Sequence, residues 1–230
     1  MRDRFHDQAL VLFAKDPVIG QVKTRLHPFL DQETILELYS NFLRDSIRIL
    51  FAVEGVDRFI GVYPSHLSNF FSRWREEPPV TLFVQEGKDL GERMRNTFAA
   101  RFDEGYRKTV IMGADSPSLP ARYLEQAFQS EKDLVIGPST DGGYYLIGMN
   151  REMVEVFQGV SWGSNQVLRE TLERVTKSGA SIGLLPVWYD VDRPENVLFL
   201  KTHLDLMEQS GLGDPGATGE FLKGLRFPQI

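Results

Sequence analysis

Apolar positions along the chain follow two alternating rhythms. Runs that are apolar at every residue or every second residue predict β-strands. They lie at Ala9–Ala14, Phe59–Tyr63, Val80–Val84, Thr109–Ala114, Leu134–Gly137, Tyr144–Met149 and Ile182–Tyr189. ALVLFA and TVIMGA have no polar face, as expected of strands sandwiched between two helix layers. Between these runs the spacing changes to i, i+3, i+4. From Glu33 to Leu50 the stripe is Ile35, Leu38, Tyr39, Phe42, Leu43, Ile47 and Leu50, with Glu33 and Glu37 early and Arg44 and Arg48 late, matching the helix dipole. Leu90, Met94, Phe98 and Phe102 predict a second helix, with Asp89 and Glu92 as its capping box. Helices are also predicted over Pro120–Phe128, Asn165–Lys177 and Pro194–Met207. This alternation predicts an α/β fold with a mixed, mostly parallel sheet flanked by helices.

No repeat and no linker divides the chain, so residues 1–208 read as one domain. Residues 209–230 hold five glycines and two prolines and read as a C-terminal tail laid over it. The 230 residues are 42% hydrophobic and 25% charged, which excludes disordered and collagen-like classes. The longest apolar run has six residues, against the roughly 20 of a membrane helix. No apolar stretch precedes the first strand, so no secretory leader is expected and the cytoplasm is the expected compartment. A net charge of −6 argues against a general nucleic-acid or membrane-surface binder. The absence of cysteine removes disulfides, thiolate metal sites and cysteine nucleophiles. Four scattered histidines leave carboxylate oxygens as the natural ligands of any metal.

Four segments have chemistry to offer. After the first strand, Lys15, Gly20, Lys23, Thr24 and Arg25 lie where open α/β sheets bind ligands. Lysine point charges, a forked guanidinium and a glycine suit a polyphosphate, although a solvated basic loop has the same composition. Asp115, at the end of a strand and before Ser116-Pro117, is suited to hold Mg²⁺ against a diphosphate or, alternatively, to organise the turn. Asp192, ahead of Pro194 and Glu195, reads as a helix N-cap and as a second metal carboxylate, two roles its two oxygens can combine. Asp141-Gly142-Gly143-Tyr144 is a hairpin signal that could equally shape a sugar or acceptor pocket.

Two literal motif matches point elsewhere. Gly211–Gly216 fits GxGxxG, but no strand precedes it and its Pro and Gly residues fit no helix start. Gly159-Val160-Ser161-Trp162-Gly163 fits the nucleophile elbow, with Asp190 or Asp192 and His203 following in hydrolase order. Its preceding run is interrupted by Glu155 and Gln158, and His203 lies in a helical stripe. Serine hydrolysis through Ser161 is thus a minor alternative.

Six segments in order, FAKDPVIGQVKTRL, QEGKDLGERM, VIMGADSPSL, GPSTDGGYYLIG, VSWGSNQVL and DVDRPEN, cover about Ala9 to Leu200. Together they resemble a bacterial family of GT-A-fold glycosyltransferase-like proteins classed under a domain of unknown function. That family is close to the nucleotidyltransferases that make molybdenum guanine dinucleotide and to the phospholactate guanylyltransferases. The resemblance implies a nucleotide-diphospho-sugar transferase fold with a split nucleotide and acceptor site. It implies that Lys15, Gly20, Lys23, Thr24, Arg25, Asp89 and Gly91 serve the nucleotide. Asp115 and Asp192 would hold Mg²⁺ or Mn²⁺, with Lys23 beside them as a catalytic group. Asp141, Gly142, Gly143, Tyr144 and Trp162 would line the sugar or acceptor side. The sequence departs from the family at Arg193 and Asn196, where Thr and Asp are usual, and at Ser116, where Cys is common.

The expected activity is transfer of a group from a nucleotide-activated small molecule to an unknown acceptor. Glycosyl transfer from a nucleotide-diphospho-sugar is the preferred form, and nucleotidyl transfer with release of pyrophosphate is the close alternative. A nucleotide-binding protein that has lost catalysis is the alternative that Arg193 and Asn196 suggest.

Overall fold

A computed structural model describes residues 5–65, 68–72, 74 and 80–227. Seven strands form one sheet: β1 (Gln8–Lys15), β2 (Asp57–Tyr63), β3 (Val80–Val84), β4 (Lys108–Gly113), β5 (Leu134–Pro138), β6 (Tyr144–Asn150) and β7 (Ile182–Leu184). Their order is β3-β2-β1-β4-β6-β5-β7, and β6 alone runs against the others. The expected mixed, mostly parallel α/β sheet is what the chain forms.

Alternate residues of the central strands supply two cores. Leu10, Leu12 and Ala14 of β1, with Val110 and Met112 of β4, face α1 (Gln32–Ala52), α4 (Ala121–Gln129) and α6 (Pro194–Gln209). Ala9, Val11 and Phe13, with Ile111, face α3 (Leu90–Asp103) and α5 (Val167–Ser178). Burial on both faces is why β1 and β4 read as unbroken apolar runs.

Local caps set several helix starts. Asp31 accepts from Thr34 N at 2.9 Å, and Asp89 accepts from Glu92 N at 2.8 Å. The Glu92 carboxylate returns to Lys88 N rather than to Asp89 N, one residue beyond the expected box. A short helix, α2 (Asn69–Ser72), lies between β2 and β3.

The structure corrects four expectations. The run Ile182–Tyr189 is a strand only to Leu184; Leu185 N still donates to Ile136 O, but the next bond to β5 comes from Trp188 N to Pro138 O, one residue out of register. The 209–230 segment contains a helix, α7 (Gly216–Gly224), whose Leu222 is buried against the core. Its start is capped from another element: the Asp45 carboxylate of α1 accepts from Ala217 N and Thr218 N at 2.9 and 2.8 Å. Asp214 Oδ1 adds a local cap, accepting from Gly216 N at 2.6 Å, so the two carboxylates together satisfy the free N–H groups of the first turn. Arg44 and Arg48 sit before the last turn of α1 and bind Glu37, Asn41 and Asp214 rather than the helix dipole. Finally, Asp192 does not cap α6; the Asn196 side chain does, accepting from Arg193 N at 3.0 Å and Asp192 N at 3.3 Å. Among the described residues no helix is long and apolar enough to cross a membrane.

Candidate active site

From β1 the chain winds one way to β2 and β3, while β4 lies on the other side of β1. This reversal opens a crevice beyond the carboxyl ends of β1 and β4. A cleft of about 910 Å³ occupies it.

The loop after β1 enters this cleft because it is anchored on both sides of one residue. Val22 and Leu26 are buried in the core, and Lys23 between them takes a left-handed backbone, φ 46° and ψ 39°. Its ammonium lies 5.7 Å from the centre of the Phe42 ring. Lys23 Nζ meets Asp115 Oδ1 at 2.6 Å and Asp192 Oδ1 at 2.7 Å, and its side chain is 5% exposed. Arg25 reaches the other Asp192 oxygen at 3.4 Å. Asp115 follows β4, and its carbonyl accepts from Val191 N at 2.9 Å. That backbone bond brings the segment carrying Asp192 beside it.

Burial opposes the Lys23 charge, but Asp115 and Asp192 outweigh it and hold the ammonium pKa above its ordinary value. Burial likewise opposes ionisation of Asp192, and Lys23 and Arg25 overcome it and lower its pKa. Asp190 differs. Burial first, then the neighbouring Asp115 charge, pushes it up to about 7, although Ser116 Oγ donates to its Oδ1 at 2.7 Å.

The carboxylates of Asp115 and Asp192 converge on one point, and Asp115 stays 45% exposed toward the cleft. Mg²⁺ is commonly held by one or two carboxylates with substrate phosphates completing its shell. The donor set therefore fits a hard divalent cation bound together with a phosphate ligand. Among the described residues no group of three acidic or histidine side chains forms a self-sufficient metal cage.

The opposite wall comes from β5, β6 and the start of α5. Asp141 makes the hairpin turn, its Oδ1 accepting from Gly143 N at 2.9 Å. Tyr144 and Trp162 meet edge to face at 6.4 Å between ring centres. Trp162 is seated by a glycine: a Cβ on Gly91 would collide with its indole. A Cβ on Gly142 would collide with the Asn165 carbonyl, and Gly142 has φ +91°.

Lys15, Lys23, Thr24, Arg25, Asp115 and Asp192 line one wall, and Asp141, Gly143, Tyr144 and Trp162 line the other. Gly20, Asp89, Gly91 and Gly142 are not in the lining. Gly20 takes φ 73° in the exposed loop, Asp89 caps α3, and the other two glycines clear space behind the wall. Ser161 hydrogen-bonds Glu170 through N and Oγ, while His203 Nδ1 bonds Tyr189 Oη at 2.7 Å. The elbow motif therefore assembles no triad.

Four contributors are not evident in the motif reading. Tyr39 Oη accepts from Lys15 N at 2.9 Å and fixes the end of β1; in sequence it is one more position of the α1 stripe. Gln85 is buried and donates to Ala14 O and Gly61 O at 3.2 and 2.8 Å, tying β1 to β2 at the cleft floor. Arg93 stacks 4.1 Å over the Tyr63 ring. Arg93 and Gln85 lie in QEGKDLGERM, so that segment carried a signal for them, whereas Tyr63 had none.

A family model described as "Uncharacterized protein conserved in bacteria (DUF2064)" matches residues 48–164. The chain is 31% identical to a candidate nucleotide-diphospho-sugar transferase from Desulfovibrio desulfuricans G20, a solved structure. The superposition covers 95% of each chain with a TM-score of 0.85. It is 26% identical over 211 residues to a 2-phospho-L-lactate guanylyltransferase of Methanocaldococcus sp. (strain FS406-22), covering 90% of this chain and 84% of that one. The inositol-1-phosphate CTP transferase of T. maritima, 16% identical, shares the fold with a TM-score of 0.50 over 83% of this chain and 91% of that one.

Proposed function

The chain belongs to the DUF2064 family and is a transferase of the nucleotidyl and nucleotide-sugar class, and within that class we propose that it transfers a nucleotidyl group from a nucleoside triphosphate to a small acceptor. The observation that carries this reading is the cationic wall: Lys15, Lys23 and Arg25 face the cleft beside the Asp115–Asp192 pair. Three cations suit the charge of a triphosphate and of the pyrophosphate that leaves it. The guanylyltransferase relative supports the same choice.

In this mechanism Lys15, Lys23 and Arg25 bind the phosphate chain and hold the α-phosphorus toward the opposite wall. An anionic acceptor oxygen, with no proton to lose, attacks that phosphorus, the bond to the α,β-bridging oxygen breaks, and its electron pair leaves on pyrophosphate. The cations neutralise the charge that builds on the leaving oxygen. Asp115 and Asp192 would hold Mg²⁺ or Mn²⁺, which when bound screens the phosphate charge and polarises the phosphoryl group. Asp141, Tyr144 and Trp162 position the acceptor and keep bulk water from its face. Arg193 faces the cleft and Asn196 caps α6, so the departures at these positions leave the Asp192 carboxylate turned toward Lys23.

Glycosyl transfer from a nucleotide-diphospho-sugar is the second reading. It is favoured by the Tyr144–Trp162 aromatic pair beside Asp141, which offers a ring face and a hydroxyl acceptor as sugars require. To separate the two, the purified chain is given nucleoside triphosphates or nucleotide-diphospho-sugars in turn, with a bacterial small-molecule extract as acceptor pool. Pyrophosphate release from a triphosphate is expected. Nucleoside diphosphate release from the sugar nucleotides alone would decide for glycosyl transfer.

A further inference from the structure

We propose that Lys23 closes the Asp115–Asp192 pair to free divalent cations, so that the chain accepts its metal only as a preformed metal–polyphosphate complex. The inference rests on the reading of those two carboxylates as metal-holding groups and adds the form in which the metal arrives.

The ammonium takes the place that a shared cation would take. Nζ lies 2.6 and 2.7 Å from one oxygen of each carboxylate, and Arg25 holds a second oxygen of Asp192. A Mg²⁺ ion bound to the same oxygens would sit about 2.0–2.1 Å from them. Two cations cannot share that space, and a free divalent ion approaches carboxylates already neutralised and guarded by a like charge. The lysine is held there by its surroundings, not by chance contact: its neighbours Val22 and Leu26 are buried and its side chain is 5% exposed.

A polyphosphate changes the balance because it offers Lys23 another anionic partner. The lysine head is a compact charge on a flexible stem, so Nζ can move to a phosphate oxygen without moving the loop. The carboxylates it leaves are then free for a cation that arrives on the same phosphate chain. Each charge exchanges one opposite partner for another, and no bare pair of carboxylates is exposed along the way. Asp115, 45% exposed, is the half of the pair that faces the incoming complex.

The test measures binding of Mn²⁺ alone, by its electron paramagnetic resonance signal, to nucleotide-free wild type and Lys23→Met. The expected result is a gain in Mn²⁺ affinity of about tenfold or more in Lys23→Met. Inorganic tripolyphosphate, which carries no base, is expected to bring Mn²⁺ into a protein-bound form in the wild type. Mn²⁺ alone is expected to raise the melting temperature of Lys23→Met and to leave that of the wild type unchanged. Should Lys23→Met not fold, Lys23→Gln is measured in the same way.

Equal Mn²⁺ affinity in wild type and variant overturns the inference and leaves the metal reading standing. No Mn²⁺ binding to either, with or without tripolyphosphate, overturns both. Failure of the transferase reading would show separately, as no product from triphosphates or sugar nucleotides alongside a normal Mn²⁺ result.

Discussion

On the β1–β4 wall of the cleft, charged side chains from three distant segments meet: Lys23, Asp115 and Asp192 lie within 2.7 Å contacts of one another through a single ammonium. On the β5–β6 wall the parts are held by shape. Gly91 makes room for Trp162, Gly142 makes room for Asn165, and Tyr144 packs edge-on against the indole. The first wall can be rearranged by a ligand that offers new counter-charges, because ion pairs exchange partners readily. The second resists change, because close-packed side chains move only at the cost of overlap. Under the proposed function the first wall would yield to the nucleotide and the second would hold the acceptor in register with it.

Breaking the ionic wall should have the largest effect. Asp115→Ala leaves Lys23 with Asp192 and Arg25 and removes half of the carboxylate pair. It is expected to lower kcat/KM for transfer by about 100-fold or more, with the far-ultraviolet circular dichroism unchanged. Wild-type turnover in this variant would show that the pair is structural.

Damage to the packed wall should be smaller and of another kind. Gly91→Ala drives a methyl group into the Trp162 indole. It is expected to cost about 1–3 kcal/mol of stability, seen in urea unfolding, and to raise the acceptor KM while nucleotide affinity stays near wild type. A matching loss of nucleotide affinity would mean that the walls do not act separately.

The finest probe is Asp190, which lines the cleft near the ionic wall but is pushed up to about 7 by burial and the Asp115 charge. Its ordinary value is 3.8, so between pH 4 and 7 the folded chain keeps a proton that the unfolded chain has lost. Stability therefore falls as pH rises through this window, and above 7 the whole contribution is lost. Asp190→Asn should remove that slope and gain on the order of 1 kcal/mol over wild type between pH 5 and 7, measured by urea unfolding in EDTA. Parallel pH curves for the two proteins would place Asp190 among ordinary surface carboxylates.

How much of this is legible in the chain depends on how far apart the partners lie. Strands β1 and β4, the α1 and α3 stripes, the Asp89 cap and the Asp-Gly-Gly hairpin each depend on residues a few positions apart. A linear reading recovers them for that reason. The α7 helix was harder to read because Asp45, far back in α1, shares its capping with the local Asp214. Asp192 was open to a capping role that Asn196 performs, while its own carboxylate oxygens go to Lys23 and Arg25.

What the sequence determined by itself was the alternation of elements, the two-sided burial of the central strands and the small set of charged residues at strand ends. These follow from hydrophobic period and local hydrogen bonding, which act over one or two turns. Only the tertiary structure decided that Lys23 lies between Asp115 and Asp192, that burial raises the Asp190 pKa and that Gly91 seats Trp162. Electrostatic and steric terms depend on distance in space and on burial. Neither is set until the sheet has brought the ends of β1 and β4 side by side.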